Sequence, residues 1–186
     1  MLMALTGTLV AEEKEYIFTT PLVHGLSYKL LKKNSNLLKE KVVQCYKYLD
    51  KVIERVDCED IYNADDLVKQ VVSGKSDLWI SVDKNDKIKG CLIIGVAAYP
   101  QSIGISAEAV GGKFDFYKLV PMLEKYYKNI GYEFFEMTGR KGWIRKMEPL
   151  GYTLKTVTIR KRLKNEFFIL TSTNYCSDTF CCTDCI

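Results

Sequence analysis

The stretch "SGKSDLWISVDKNDKIKGCLIIGVAAYP", residues 73–100, is where the chain changes its period. Leu78, Ile80 and Val82 alternate with Trp79 and Ser81, which suits a strand covered on one face. The polar "KNDK" (84–87) supplies a turn, and "IKGCLIIGVAAYP" (88–100) is a long apolar run that Pro100 stops. Two such runs joined by a short polar turn predict an antiparallel hairpin. A third strand, "IGISAEAV" (103–110), follows and leads into Gly111-Gly112.

Upstream the period is helical. Leu38, Val42, Cys45, Tyr46, Leu49, Val52, Ile53 and Val56 recur every three or four residues, while Lys39, Lys41, Lys47, Asp50 and Glu54 fall mainly elsewhere. That pattern predicts an amphipathic helix over 37–56. A shorter helix begins at Asn63, a good cap; Asp65 and Asp66 suit its positive first turn, Leu67, Val68, Val71 and Val72 form its apolar side, and Gly74 ends it. Residues 1–36, with Pro21, Gly25 and the sole histidine, His24, show no clear period and read as an N-terminal extension, with His24 a loop or core residue.

Downstream of Gly112 a helix spans about 114–129, with Phe116, Leu119, Val120, Leu123 and Tyr127 on one side. Pro121 would cost about 3 kcal/mol in its interior, so the regular helix is expected to begin near Lys118. "YEFFEMT" (132–138) then reads as a strand, "RKGWIRKMEPL" (140–150) as a short helix bracketed by glycines, and "YTLKTVTIRKRL" (152–163) as a last strand. The expected architecture is α/β: a mixed central sheet, an antiparallel meander followed by β-α-β-α-β, with helices on both faces.

This order resembles the GNAT N-acetyltransferase fold over residues 37–163. The string "SGKSDLWISVDKNDKIKGCLIIGVAAYP", "AEAVGG" (107–112), "MTGRKGW" (137–143) and "EPLGY" (148–152) is similar more narrowly to GNAT-like proteins of tailed bacteriophages, a group that includes phage acetyltransferases and the internal virion protein A of T7-type phages. In a GNAT enzyme a Gln/Arg-x-x-Gly-x-Gly/Ala loop holds the acyl-CoA pyrophosphate on backbone amides at the start of the central helix, the physics of phosphate at any helix N-terminus. This chain offers only "GGKFDF" (111–116) there. The resemblance therefore implies a degenerate cofactor site at Val110, Gly111, Gly112 and Lys113, with Arg140 a further phosphate candidate and Asp115 an opposing charge. The bland reading of the glycines is a strand-to-helix turn that needs φ > 0. Acyl transfer to an amine needs a base. Glu108 on the third strand is the best-placed carboxylate, and Glu136 comes next.

Three functions follow as expectations. A GNAT-fold phage protein would act as a virion-associated or assembly component, with no cofactor, other virion proteins as partners, and a place in the cytoplasm of the infected cell and in the particle. An N-acetyltransferase would use acetyl-CoA. A nucleic-acid-binding accessory protein would use residues 139–164, where nine Lys/Arg against Glu148 give +8 in a chain of net charge +4. Arg160, Lys161 and Arg162 belong to that segment, and the same surface suits acidic protein partners.

The chain, of 186 residues, can bury about 70% of its unfolded surface in one core. No apolar run reaches the length of a membrane span, and no basic segment precedes the N-terminal apolar residues, so neither a membrane anchor nor secretion is expected. The seven cysteines are an odd number, and Cys45, Cys58 and Cys91 are isolated, which suits reduced thiols. The last 23 residues, 164–186, crowd Cys176, Cys181, Cys182 and Cys185 together. They read as a docking tail that binds partners through Phe167, Phe168, Ile169, Phe180 and Ile186, with the cysteines packing as small apolar residues. The adjacent Cys181-Cys182 pair fits tetrahedral zinc poorly, so no metal is expected; a redox or intermolecular disulfide role is the other alternative.

Overall fold

The computed structural model describes residues 15–22, 24–56, 62–139 and 142–155. Six strands form one sheet in sequential order: β1 (Tyr16–Thr19), β2 (Leu26–Leu31), β3 (Asp77–Asp83), β4 (Ile88–Tyr99), β5 (Ser102–Gly112) and β6 (Phe134–Met137). Every neighbouring pair is antiparallel except β5 with β6, which is parallel through the crossover helix α3 (Phe116–Asn129). Helices α1 (Asn36–Val56) and α2 (Ala64–Val72) lie between β2 and β3 in the chain, and α4 (Gly142–Met147) follows β6. The mixed sheet with helices on both faces is the architecture that the sequence periods predict.

The core has two layers. Leu38, Val42, Cys45, Leu49 and Ile53 of α1 and Leu67 and Val71 of α2 pack on Leu31, Leu78, Ile80, Cys91, Ile93 and Ala109 of one sheet face. Phe116, Leu119, Val120, Leu123 and Tyr127 of α3, with Met147 of α4, pack on Tyr28, Leu30, Trp79, Leu92, Ile94, Ile105 and Ala107 of the other. The period-2 alternation of the strands and the three-to-four spacing of the helices thus send side chains to matching faces.

Helix α2 starts as its sequence demands. The Asn63 side chain accepts from the Asp66 amide at 3.0 Å, and the Asp66 carboxylate accepts from the Asn63 amide at 3.1 Å, a reciprocal capping box. Asn63→Ala should lower stability by about 1 kcal/mol; a denaturant titration would show it, and an unchanged midpoint would mean that α2 is held by packing alone.

Three differences from the sequence reading stand out. Residues 16–31, expected within an extension, form β1 and β2, and Tyr28, Leu30 and Leu31 are core residues. The polar members of β2 hid its period, yet each has a tertiary partner: Ser27 donates to the Thr20 carbonyl at 2.6 Å and Lys29 pairs with Asp86 at 2.6 Å. His24 sits in the intervening turn with φ 51°. Helix α3 begins at Phe116, ahead of the expected start, with Pro121 inside it. Tyr117, whose carbonyl loses its helical donor to the proline, is exposed, as is Pro121, so water can satisfy that carbonyl. Finally, residues 152–155 are not in a strand, and the rest of the expected last strand, 156–163, lies outside the described residues.

Candidate functional site

Strand β5 is the one that builds the site. Its parallel pairing with β6 runs from Gly104–Phe134 to Ala107–Met137 and stops, while β5 itself continues to Gly112, still paired to β4 on its other side. From Glu108 onward the β6-facing edge of β5 therefore has no strand against it among the described residues. The register breaks at the same point: Ile93 faces Ala109 and its neighbour Ile94 faces Ala107, so Glu108 is the extra residue of a β-bulge. A bulge re-aims a side chain, and here it leaves Glu108 on the face that carries Gly95 while the β4–β5 pairing resumes at Ala109.

The Glu108 carboxyl group lies over Gly95 of β4, where a Cβ would come within 2.6 Å of the carboxyl carbon. Gly95 is thus the residue that makes room for it. Ser76, at the end of the α2-to-β3 connection, donates to Glu108 Oε2 at 3.1 Å, and the Gln70 amide oxygen lies 3.3 Å from the same hydroxyl. Glu108 has no cation within ion-pair distance among the described residues. Burial pushes its pKa up, opposed only by the Ser76 hydrogen bond. A half-buried carboxyl with a raised pKa and no paired cation among the described residues has the chemistry of a proton acceptor.

The cofactor-loop candidates are placed less favourably. Gly111 is buried, and a Cβ there would come within 2.8 Å of the Tyr48 carbonyl oxygen of α1; Gly112 has φ 79° and crowds Gly90. Intramolecular packing accounts for both glycines. Val110 packs among the α3-side residues, and Lys113 is exposed. The amides at the start of α3 are largely engaged: Lys113 N–H donates to the Lys89 carbonyl at 2.8 Å, Phe116 to Phe114 at 2.8 Å, Lys118 to Asp115 at 3.0 Å and Asp115 to the Tyr28 hydroxyl at 3.4 Å. The Asp115 carboxylate meets Lys118 at 3.4 Å, which offsets its charge at this end of the helix.

Short helix α4 packs rather than binds. Met147 is buried, the Trp143 ring lies 5.1 Å from that of Phe116, and Arg145 and Lys146 face solvent. Arg140, Arg160, Lys161 and Arg162, the tail residues Phe167, Phe168, Ile169, Phe180 and Ile186, and Cys176, Cys181, Cys182 and Cys185 all lie outside the described residues.

The sequence reading overlooked Tyr99 and Ser106 and ranked Glu136 second. Glu136 pairs in register with Ser106, and Tyr99, at the far end of the β4–β5 hairpin, donates its hydroxyl to the Glu136 carboxylate at 3.1 Å. The signal available in sequence was the run of small residues Gly95, Ala97, Gly104 and Ser106, which pair across β4 and β5 as Gly95–Ser106 and Ala97–Gly104. Burial pushes the Tyr127 and Tyr152 phenols up, with their bonds to Asp77 and Glu124 adding to it, and the bond to Glu136 pushes Tyr99 up, so none of the three is readied as an acid.

No family model matches this chain, and no match was found among curated proteins. Solved structures are. An aminoglycoside acetyltransferase from an uncultured soil metagenomic sample, determined with sisomicin, matches with a TM-score of 0.50 at 17% identity, covering 75% of this chain and 97% of that one. A predicted acetyltransferase of Clostridium acetobutylicum, determined with acetyl-CoA, matches with a TM-score of 0.50 at 11% identity, covering 74% and 96%. At such identities the likeness concerns the fold, which is GNAT-like. Among the described residues no helix is long and apolar enough to cross a membrane, and no group of three or more His, Cys, Asp or Glu could hold a metal ion.

Proposed function

We propose that the chain is an acetyl-CoA-dependent N-acyltransferase with Glu108 as its base. The observation that carries this reading is the end of β5–β6 pairing at Ala107–Met137: among the described residues no strand pairs with the β6-facing edge of residues 108–112, which begins at the bulge residue Glu108. An extended ligand bearing amide groups can add to such an edge as a further strand, with backbone hydrogen bonds as its anchor. Acetyl-CoA has such an arm and would supply an activated acyl thioester.

The residues present fit the two ends of that cofactor unequally. The open edge of β5 fits its amide arm. At the start of α3, four of the amides that would cradle a pyrophosphate are already engaged, which leaves those of Phe114 and Tyr117 without a hydrogen bond among the described residues, together with the exposed Lys113 side chain. Binding therefore rests more on the strand edge than on phosphate contacts, and its dependence on salt is shallow. On the protein side, Glu108 takes a proton from the incoming ammonium, Ser76 keeps the carboxylate oriented, and Gly95 gives it room.

The virion-assembly reading has no supporting observation in the described fold, and phage origin rests on the sequence resemblance alone. The C-terminal tail 164–186 and six of the nine basic residues of 139–164 fall outside the described residues and add nothing to either reading. Calorimetry with acetyl-CoA at about 1 mM, a level that registers binding weaker than about −4 kcal/mol only faintly, tests the proposal. Heat of binding together with thiol release in the presence of an amine supports it; no heat and no thiol release across a panel of primary amines ends it.

A further inference from the structure

Strand β4 outruns its neighbour β3. Their pairing ends at Asp77–Ile94, while β4 continues to Tyr99, paired to β5 on its other side. Among the described residues the β3-facing edge of residues 95–99 therefore has no strand against it. The backbone groups of this overhang have a fixed direction. The Ile103 carbonyl of β5 accepts from the Glu133 amide at 2.9 Å, on the side away from β4. Ile103 faces Ala98, and antiparallel partners that do not bond each other both turn their groups outward. Ala98 thus aims its N–H and C=O at the open edge, and by alternation Val96 does the same.

The side chains add apolar surface. Val96 and Tyr99 are 50% and 55% exposed, and Ile103, across from Ala98, is 44% exposed. No charged residue occurs between Gly90 and Ala107. Sheet edges are ordinarily guarded by short length, a bulge, a proline or a charge. The outer edge of β1 is four residues long and broken by a register shift between Tyr16 and Phe18; β6 is four residues long and carries Glu136. Residues 95–99 have none of these devices, since the β4–β5 bulge lies before them and Pro100 after them.

Backbone groups aimed outward are satisfied by another extended chain, and the absence of charge selects which one. An edge lined with lysines or carboxylates repels its own copy, whereas this edge meets its own copy without a like-charge contact. Two identical antiparallel strands are related by a two-fold axis normal to the sheet. That axis sets the outward groups of Val96 and Ala98 of one copy against those of the other and joins the two apolar hairpin ends. The exposed side chains offer a few hundred Å² per copy, which with the backbone bonds comes near or below the ~1,200 Å² at the lower end of specific interfaces. A contact of that size makes a reversible dimer.

We propose that the end of the β4–β5 hairpin is a self-association surface on which two copies of the chain pair β4 edge to β4 edge, antiparallel. It is independent of the acyl-transfer reading.

Sedimentation velocity of the full chain from about 1 to 300 µM, with reductant present to exclude disulfide-linked copies, tests this. The mass should rise reversibly toward twice that of the monomer, and the amides of Val96 and Ala98 should exchange more slowly at the high concentration than at the low. Val96→Lys and Ala98→Pro should each weaken the dimer about tenfold or more, the first by like-charge repulsion and the second by loss of an outward N–H. Ile17→Lys, an equal change of charge at an exposed position of β1, should leave it intact. Mixing Val96→Lys with Val96→Glu should restore dimers that neither forms alone. Melting curves at the low concentration show that each variant is folded. A wild-type chain that stays monomeric overturns the proposal; concentration-independent protection of Val96 and Ala98 would then mean that another segment of the same chain covers the edge. Dimers that survive both Val96→Lys and Ala98→Pro, or that Ile17→Lys weakens equally, overturn it as well.

Discussion

Glu108→Gln is expected to lower kcat/KM for acetyl transfer by about 10²–10⁴-fold, the usual worth of a positioned base. The substitution is nearly isosteric, and the Gln oxygen still accepts from Ser76, so the geometry over Gly95 is retained. The pH dependence gives a second signature. Glu108 must be ionised to accept a proton, and burial holds its pKa above the ordinary carboxylate range, so wild-type activity falls as pH drops through that raised value; the variant lacks this limb. Stability moves the other way. Between the unfolded pKa of about 4.3 and the higher folded value, the native chain binds more protons than the unfolded chain, so stability falls as pH rises through this window and stays lower above it. Glu108→Gln removes that loss. Denaturant titrations at about pH 4 and about pH 8 should therefore find the variant no less stable than wild type at the higher pH. Full activity in the variant would remove Glu108 from the mechanism, whatever the stability result.

Trp79→Ala should destabilise the chain by about 3–5 kcal/mol, a large share of the roughly 5–15 kcal/mol typical of a whole domain. Trp79 has no exposed surface and joins three parts of the fold. Its ring lies 5.4 Å from Phe18 of β1 and 5.7 Å from Tyr126 of α3. Its indole N–H donates to the Tyr127 hydroxyl at 3.0 Å, which in turn donates to Asp77 at 2.9 Å. Removing the ring opens a cavity and strips the Tyr127 hydroxyl of its donor, two separate losses. For a chain of this size the melting temperature should fall by roughly 10 °C or more. Val96→Ala, at an exposed position of β4, should stay within about 0.5 kcal/mol and serves as the control. A Trp79→Ala chain as stable as that control would mean that β1 and α3 are not held together through this ring.

The comparison of these two residues shows where sequence reasoning reaches. Trp79 lies in the alternating run 77–83, so its strand was legible, but nothing local shows that Phe18 and Tyr127 are its partners. Glu108 could be singled out as a carboxylate on a strand between small residues. Its bulge, its place over Gly95 and its bond to Ser76, 32 residues away, arise only when β4 and β5 take their register. The glycines before α3 show the converse. In sequence they suggest a ligand loop, whereas in the fold Gly111 gives α1 room to pass and Gly112 supplies a positive φ. Nor could periodicity reveal β2, because Ser27 and Lys29 are satisfied by Thr20 and Asp86, the second of them 57 residues away.

The sequence by itself determined that the helices exist, the hairpin 77–99, the long third strand and the first of the two parallel crossovers it predicts, because each rests on a local period, a cap or a turn; the second crossover ends in a strand that lies largely outside the described residues. Tertiary structure alone decided the two N-terminal strands, the point at which β5 and β6 part, and the joining of Tyr99, Ser106, Glu108 and Glu136 on one sheet face. Those features depend on register between strands. Register is set by packing against helices drawn from elsewhere in the chain, and no local pattern of residues records it.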